Sequence, residues 1–312
     1  MKDLVVIVGS SNKGLGREIC QHLGIKETET LLTEFGNGER RVEVCENVRN
    51  KDVFVIQSSS ANTDSDIMEL LLILDALKRS SCFRVTTVMP NYPYARQDRK
   101  VKSRVPISAK LLANLIKTAG SDRFLTAELH APQIGGYFDC PTDNLHMFNI
   151  FVPHIKKGHP KNNLCIVAPD AGSIKVAKSY AGRLDCDVAM IYKNRTAPGK
   201  IAEMKLIGDI KDKKCIIVDD MADTCSTLCK AANLLEYYGA VSVEAYCTHP
   251  VLSGDAIKNL RRSTIAKLYV TNTIDSDAAR RYDAIEILSA SSLFAEAIQG
   301  INQEKSLAYL FD

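Results

Sequence analysis

The chain has 312 residues, 46% of them apolar and 25% charged, the balance of a globular protein with enough apolar mass to build more than one core. With 40 basic against 37 acidic side chains the net charge is only +3, which argues for neither a nucleic-acid nor a membrane partner; any anionic ligand must be held by local clusters. The 10 cysteines are scattered singly through apolar runs without a Cys-x-x-Cys spacing, as expected of reduced thiols rather than a disulfide framework. Cys225 and Cys229, four apart, have a metal-like spacing but no second pair nearby, so they read as buried small hydrophobes. The opening segment, Met1 to Gly9, lacks the features of a signal peptide, and no window reaches membrane-spanning length; a cytoplasmic protein is expected.

Short β-branched runs alternate with amphipathic ones from end to end, the pattern of parallel sheets covered by helices. In chain order, strands are expected at Leu4–Val8, Val53–Gln57, Arg84–Met89 and Phe124–Glu128, with helices at Lys13–Leu23, Ser65–Arg79 and Ile107–Ala119. The glycines of Gly9 to Gly16 form neither a Walker A loop, since Leu15 stands where a lysine is needed, nor a dinucleotide fingerprint, and mark a tight turn. Pro141, Pro153, Gly158 and Pro160 interrupt both periodicities, so Pro141 to Lys161 reads as the loop-rich boundary between two halves. Beyond it, strands are expected at Leu164–Ala168, Val188–Tyr192, Cys215–Val218, Val243–Thr248 and Ala266–Val270, with helices at Ser173–Leu184 and Thr224–Tyr238. The fold class is α/β, with domains 1–145 and 146–312, each a mainly parallel sheet flanked by helices; roughly the last 20 residues are expected to pack on the N-terminal domain.

Ligands of open parallel sheets bind beyond the carboxyl ends of the strands. After the third strand comes Asn91-Tyr-Pro-Tyr-Ala-Arg-Gln-Asp-Arg99, stiffened by Pro93, where Arg96 and Arg99 can grip a polyphosphate bidentately. Lys100, Lys102 and Arg104 continue the run and read as a solvated face. His130 follows the fourth strand; a lone histidine there is more often structural than a ligand. Asp170 stands at the equivalent place in the second half, and an imidazole and a carboxylate converging suit a divalent cation that keeps mostly water and phosphate around it. Lys193 and Arg195 precede a polar stretch, Thr196 to Lys200, that reads as a mobile loop; the two are either a salt-bridged surface pair or cations brought to a transition state.

The run Cys215-Ile-Ile-Val-Asp-Asp-Met-Ala-Asp-Thr-Cys-Ser-Thr227 carries the most chemistry. An apolar strand is expected to stop at Asp219 and Asp220, whose carboxylates can accept from two vicinal sugar hydroxyls. The small residues Asp223, Thr224, Cys225, Ser226 and Thr227 then open a helix, whose orphan amides and dipole favour a dianionic phosphate. Together they have the build of a ribose-phosphate pocket.

Tyr94-Ala-Arg-Gln-Asp98, Ser103-Arg-Val-Pro-Ile-Ser-Ala-Lys110, His130 and Val218-Asp-Asp-Met-Ala-Asp-Thr-Cys225 resemble the class I ribose-phosphate diphosphokinases, or phosphoribosyl pyrophosphate synthetases, over Val8 to Phe311. The resemblance implies two phosphoribosyltransferase-like domains and transfer of the diphosphoryl group of ATP to the 1-hydroxyl of ribose 5-phosphate, for nucleotide biosynthesis. It implies Mg²⁺ as cofactor, with His130 and Asp170 at the metal. Arg96, Gln97, Arg99 and His130 would bind ATP, and Phe35, Asn37 and Glu39 would contact its adenosine from a neighbouring subunit. Asp170, Asp219, Asp220 and the loop Asp223 to Thr227, Ser226 included, would hold ribose 5-phosphate, while Lys193 and Arg195 would act on the transferred group. Asn47, Arg49, Ser81, Arg104, Asp143, Asn144, Ser306 and Phe311 fall where relatives bind phosphate and nucleotide effectors. A homo-oligomer, dimer-based and hexameric, is implied as well.

Ser226 and Ser173 stand where relatives commonly have glycine, which would weaken ribose 5-phosphate binding wherever the backbone requires a positive φ. Pro132 and Gly135 replace a common serine and glutamine in the effector segment. The serines keep open a catalytically silent subunit of a synthetase oligomer. A base phosphoribosyltransferase is the other alternative, but it has no use for Arg96 to Arg99 with His130.

Overall fold

The computed structural model describes residues 2–159, 163–194 and 203–311, without the side chains of residues 193, 194 and 203. It contains two compact units: Met1–Met147 with Thr273–Asp275 and Ser289–Asp312, and Phe148–Asn272 with Ser276–Leu288.

The first unit opens with β1 (Leu4–Val8), α1 (Lys13–Leu23), a hairpin of β2 (Thr30–Glu34) and β3 (Arg40–Val44), and β4 (Asp52–Ile56). It continues through α2 (Thr63–Arg79), β5 (Arg84–Met89), α3 (Ser108–Ala119), β6 (Arg123–Ala127) and β7 (Thr142–Leu145). All pairings in its main sheet, ordered β1-β4-β5-β6-β7, are parallel. Strands of such a sheet are buried on both faces, so they read as continuous apolar runs such as Val-Phe-Val-Ile in β4, buried throughout. Gly16 lets α1 lie close to β1, since a Cβ there would stand 2.3 Å from Val8 Cγ1. The turn after β1 is filled from within: Glu69 accepts from Ser10 N at 2.7 Å and from Ser10 Oγ at 2.8 Å. A carboxylate of the chain itself thus sits where a phosphate loop would hold its anion.

The second unit contains α4 (Phe148–Gly158), β8 (Leu164–Ala168), α5 (Ile174–Leu184), β9 (Asp187–Asn194), β10 (Glu203–Ile207), β11 (Lys214–Ala222) and α6 (Ser226–Tyr237). β12 (Ser242–Pro250), α7 (Ala256–Arg261), β13 (Ile265–Thr271), α8 (Asp277–Arg281) and β14 (Ile285–Leu288) complete it. Its sheet runs β10-β9-β8-β11-β12-β13-β14, parallel except for β10 at the edge. The chain then returns to the first unit as α9 (Ser291–Asn302), which packs on α1. Arg84 fixes that return: it binds both Asp52 oxygens, at 2.9 and 2.6 Å, and donates to the Ile301 carbonyl at 3.0 Å.

Two expectations are corrected. The segment read as a loop-rich boundary holds α4, which runs through Pro153 because Phe148, Phe151, Val152 and Ile155 bury one helical face. Packing of that stripe outweighs the backbone bond that proline removes. β11 likewise does not stop at the acidic pair. It runs on to Ala222, with Asp219 opposite Cys247 and Met221 opposite His249 in the ladder.

Candidate functional site

In the second unit β8 leads through α5 to β9 in one direction, while its neighbour β11 leads through α6 to β12 in the other. The loops that leave β8 and β11 therefore diverge and open a crevice at the strands' carboxyl ends, the switch point where such sheets hold ligands. β8 ends at Ala168 and its last pairing is Val167 with Ile217, so Asp219 and Asp220 lie on β11 beyond the reach of β8. Adjacent strand residues face opposite ways. Where the β8 side is open, both carboxylates border the same gap.

Asp219 retains some accessible surface at the bottom of this crevice but lies deep in the protein. Burial pushes its carboxyl well above the usual range, and the charges of Asp220 and Asp170 push it the same way. That electrostatic influence brings together the two halves of the motif that sequence spacing separates. Asp170 is held by its own loop: its Oδ1 accepts from Gly172 N at 2.8 Å and from Ser173 N at 3.2 Å. The hydroxyl of Ser173 donates to the Asp170 carbonyl at 3.1 Å.

The raised Asp219 has a consequence for stability. A carboxyl whose folded pKa exceeds its unfolded one contributes fully below the unfolded value and loses that contribution as pH rises through the folded value. The ligand-free chain thus carries a penalty at neutral pH. Asp219→Asn is expected to raise Tm at neutral pH by roughly 2–4 °C, the worth of about 1 kcal/mol in a domain of this size. The two melting curves should converge near the ordinary carboxyl range, about pH 4; equal melting at neutral pH would sink this account.

Beyond β11, Asp223 and Ser226 are half-buried, Thr224 and Thr227 exposed, and Cys225 buried. Cys225 is the residue with positive φ, 58°. Ser226 is the first residue of α6, and Ser173 has φ −87° and ψ 0°. The concern over serines in place of glycines is answered by these angles, because both lie in backbone open to any residue. Burial pushes the Cys225 thiol up to about 12, so it packs under the loop rather than reacts. The side chain of Cys225, the residue before α6, makes no capping bond.

The first unit presents its own set. Arg96 and Gln97 are exposed between the buried Ala95 and Asp98, and Arg99 is exposed just after them, so the guanidiniums project from an anchored turn. Asp98 accepts from Gln133 Nε2 at 2.7 Å, and Tyr137 donates its hydroxyl to the Asp98 carbonyl. The Gln97 side-chain oxygen accepts from Ser108 Oγ at 2.6 Å, which fixes that amide against α3. Tyr94, at φ 58°, donates to the Asp64 carboxylate. His130 is exposed, and Leu129 before it is tied down by Asn144, whose Oδ1 accepts Leu129 N at 3.0 Å.

Phe35, 52% exposed, stands at the tip of the β2–β3 hairpin with Asn37 and Glu39. Phe35 N donates to the Glu39 carbonyl at 2.8 Å, and Asn37 Oδ1 accepts from Glu39 N at 3.2 Å. Periodicity missed this hairpin, whose burial alternates only between half-buried and exposed. Of the effector positions, Asn47 Oδ1 accepts from Arg49 N at 3.0 Å, and the Ser81 carbonyl accepts from Asn50 N at 2.9 Å. Asp143 is paired with Arg123 at 2.6 Å, Arg104 has φ 63°, and Ser306 Oγ accepts from Ala308 N at 3.2 Å; Phe311 follows the last helical turn. Lys193 lies on β9 with its side chain outside the described residues, and Arg195 lies outside them altogether.

Among the described residues no three His, Cys, Asp or Glu side chains gather into a metal cage, and no helix is long and apolar enough to cross a membrane. Residues 4–120 match the family model described as the N-terminal domain of ribose phosphate pyrophosphokinase, and residues 194–312 match the phosphoribosyl synthetase-associated domain. The ribose-phosphate pyrophosphokinase of Caulobacter vibrioides is 46% identical over 310 residues, covering 98% of this chain and 99% of the relative. That of Rhizobium meliloti is 44% identical over 308 residues, again 98% and 99%. The crystal structure of phosphoribosylpyrophosphate synthetase from Mycobacterium smegmatis superposes with a TM-score of 0.92 at 37% identity, over 97% of this chain and 100% of that one.

Proposed function

The chain belongs to the ribose-phosphate pyrophosphokinase family, and on that premise we propose that it transfers the β,γ-diphosphoryl group of ATP to the 1-hydroxyl of ribose 5-phosphate. The sugar O1 forms a bond to the β-phosphorus, the bond from that phosphorus to the α-phosphate oxygen breaks, and the hydroxyl proton is released. The products are AMP and 5-phosphoribosyl 1-pyrophosphate, a precursor in nucleotide biosynthesis. The observation that supports this most is the switch-point crevice, where two acidic side chains at the end of β11 stand beside the start of α6.

Displacement at phosphorus asks a protein for position and charge rather than for covalent help. Asp219 and Asp220 accept from the vicinal ribose hydroxyls, and the loop Asp223 to Thr227 takes the 5-phosphate with its amides and hydroxyls. Arg96 and Arg99 grip the polyphosphate of ATP, Gln97 and His130 complete that contact, and Phe35 stacks on adenine, supplied with Asn37 and Glu39 by a second copy in a dimer-based homo-oligomer. Lys193 and Arg195 take the charge of the transferred group. The effector positions, Asn47 to Phe311, take phosphate or nucleotide.

Mg²⁺ fits this set. It prefers one or two protein ligands with phosphate and water, and the mutual repulsion of Asp170, Asp219 and Asp220 is what a nearby cation relieves. His130 and Asp170 would hold it, and when bound it offsets charge on the phosphate oxygens. The backbone of Ser173 and Ser226 favours the active enzyme over the silent-subunit alternative. Purified chain given ATP, Mg²⁺ and ribose 5-phosphate is expected to release AMP only when the sugar phosphate is present, and to stop when the metal is chelated. No AMP, or AMP release indifferent to ribose 5-phosphate, would reject this function.

A further inference from the structure

The ribose-phosphate loop is held by a segment that makes no contribution to the chemistry proposed above. After β12 the chain turns through Leu252, a buried residue with φ 46°, whose N–H donates to the Ala222 carbonyl at 2.9 Å. The next residue, Ser253, donates its hydroxyl to Asp223 Oδ1. One turn into α7, Asn259 Nδ2 donates to the Thr224 carbonyl at 2.9 Å. Ala222, Asp223 and Thr224 are thus each tied to this segment. α7 is too short to be stable alone, but Ala256 and Leu260 bury it in the same core as Leu228 and Cys229 of α6.

We propose that Ser253 and Asn259 are positioning residues for the ribose-phosphate loop, a proposal that rests on the loop's reading as the 5-phosphate site. Two physical steps carry it. In a trans peptide C=O and N–H point in opposite directions, so fixing the Thr224 carbonyl on Asn259 aims the Cys225 N–H away from α7. The left-handed backbone at Cys225 then joins this amide to those at the start of α6, an arrangement that makes an anion-binding concavity. Ser253 acts on charge. Asp223 is a carboxylate beside a site for a dianion, and the serine hydroxyl draws one of its oxygens aside and partly neutralises it.

The 5-phosphate is remote from the reacting O1 and its charge does not change in the reaction, so contacts made equally in ground state and transition state should appear in KM and not in kcat. Ser253→Ala and Asn259→Ala are each expected to weaken ribose 5-phosphate binding about 5- to 10-fold, the worth of roughly one hydrogen bond. The readouts are calorimetric Kd and KM for ribose 5-phosphate, with kcat and the KM for ATP within about 2-fold of the parent. Ser253→Thr keeps the hydroxyl at an exposed position and should restore the parent Kd. Lys258→Ala, on the same helix but turned to an exposed position, should leave it unchanged. Parent-like Kd in both alanine variants overturns the proposal, as does an equal loss in Lys258→Ala or failure of the threonine to rescue. A chain that binds ribose 5-phosphate without forming AMP would defeat the proposed reaction, while the Kd comparison would still judge this inference; a chain that does not bind it defeats both.

Discussion

Asp219→Ala/Asp220→Ala is expected to lower kcat/KM for ribose 5-phosphate by roughly a hundred- to ten-thousandfold, because two hydrogen bonds to charged acceptors are each worth about 1.5–3 kcal/mol. The effect should be confined to the sugar. Arg96 to Arg99 and His130 belong to the other compact unit and keep their own contacts, so the Kd for ATP, measured by calorimetry without ribose 5-phosphate, should change by less than about 2-fold. A parallel loss of ATP affinity would mean that the carboxylates act on the nucleotide instead. The pair costs the empty fold energy and serves the filled one, so the crippled variant should melt no earlier than its parent at neutral pH.

Arg96→Ala/Arg99→Ala is expected to cost a comparable amount on the other substrate, roughly a hundred- to a thousandfold in kcat/KM for ATP. Both guanidiniums stand exposed on a turn whose other members are buried or bonded, so their removal should leave the fold intact. Their replacement by lysine should recover little, since a point charge does not reproduce the planar fork. Ribose 5-phosphate affinity should be unchanged. If ATP use survives the double substitution while the structure is retained, the polyphosphate is held elsewhere and the arginines belong to the solvated face.

What the sequence made legible follows a physical division. Buried parallel strands and the amphipathic helices between them are set by apolar periodicity, and β1, β5, β8 and α1 fall on their expected bounds. The β2–β3 hairpin is solvated on one face and half-buried on the other, so it carries too little apolar contrast to be seen as strands. Pro153 is a local breaker, but the apolar stripe around it decides the structure. At the site, Asp219, Asp220 and Asp223 to Thr227 could be read from one continuous segment. Electrostatic convergence of Asp170 on Asp219 depends on which strands are neighbours, and strand order is not written locally. Ser253 and Asn259 drew no attention for the same reason. Nothing in their own neighbourhood signals that they reach back across β12 to an earlier loop; a serine before a glycine is an ordinary turn.

The clasp of Arg84 on Asp52 and the Ile301 carbonyl also bears on how the molecule is born. The chain departs from the first unit after Met147, touches it again at Thr273–Asp275 and comes back for good at Ser289, so the second unit is in effect a long insertion in an unfinished first one. A ribosome delivers residues in order. The second unit can therefore be nearly complete while the face of α1 that α9 covers is still bare, and the carboxylate of Asp52 still lacks Asn302, which in the finished fold donates to it at 3.0 Å. Closing so wide a loop costs little more entropy than closing a modest one, so the delay is one of timing rather than of equilibrium. Until the last residues emerge, the nascent protein is a finished module trailing an open one, and its exposed apolar surface is what a chaperone would meet.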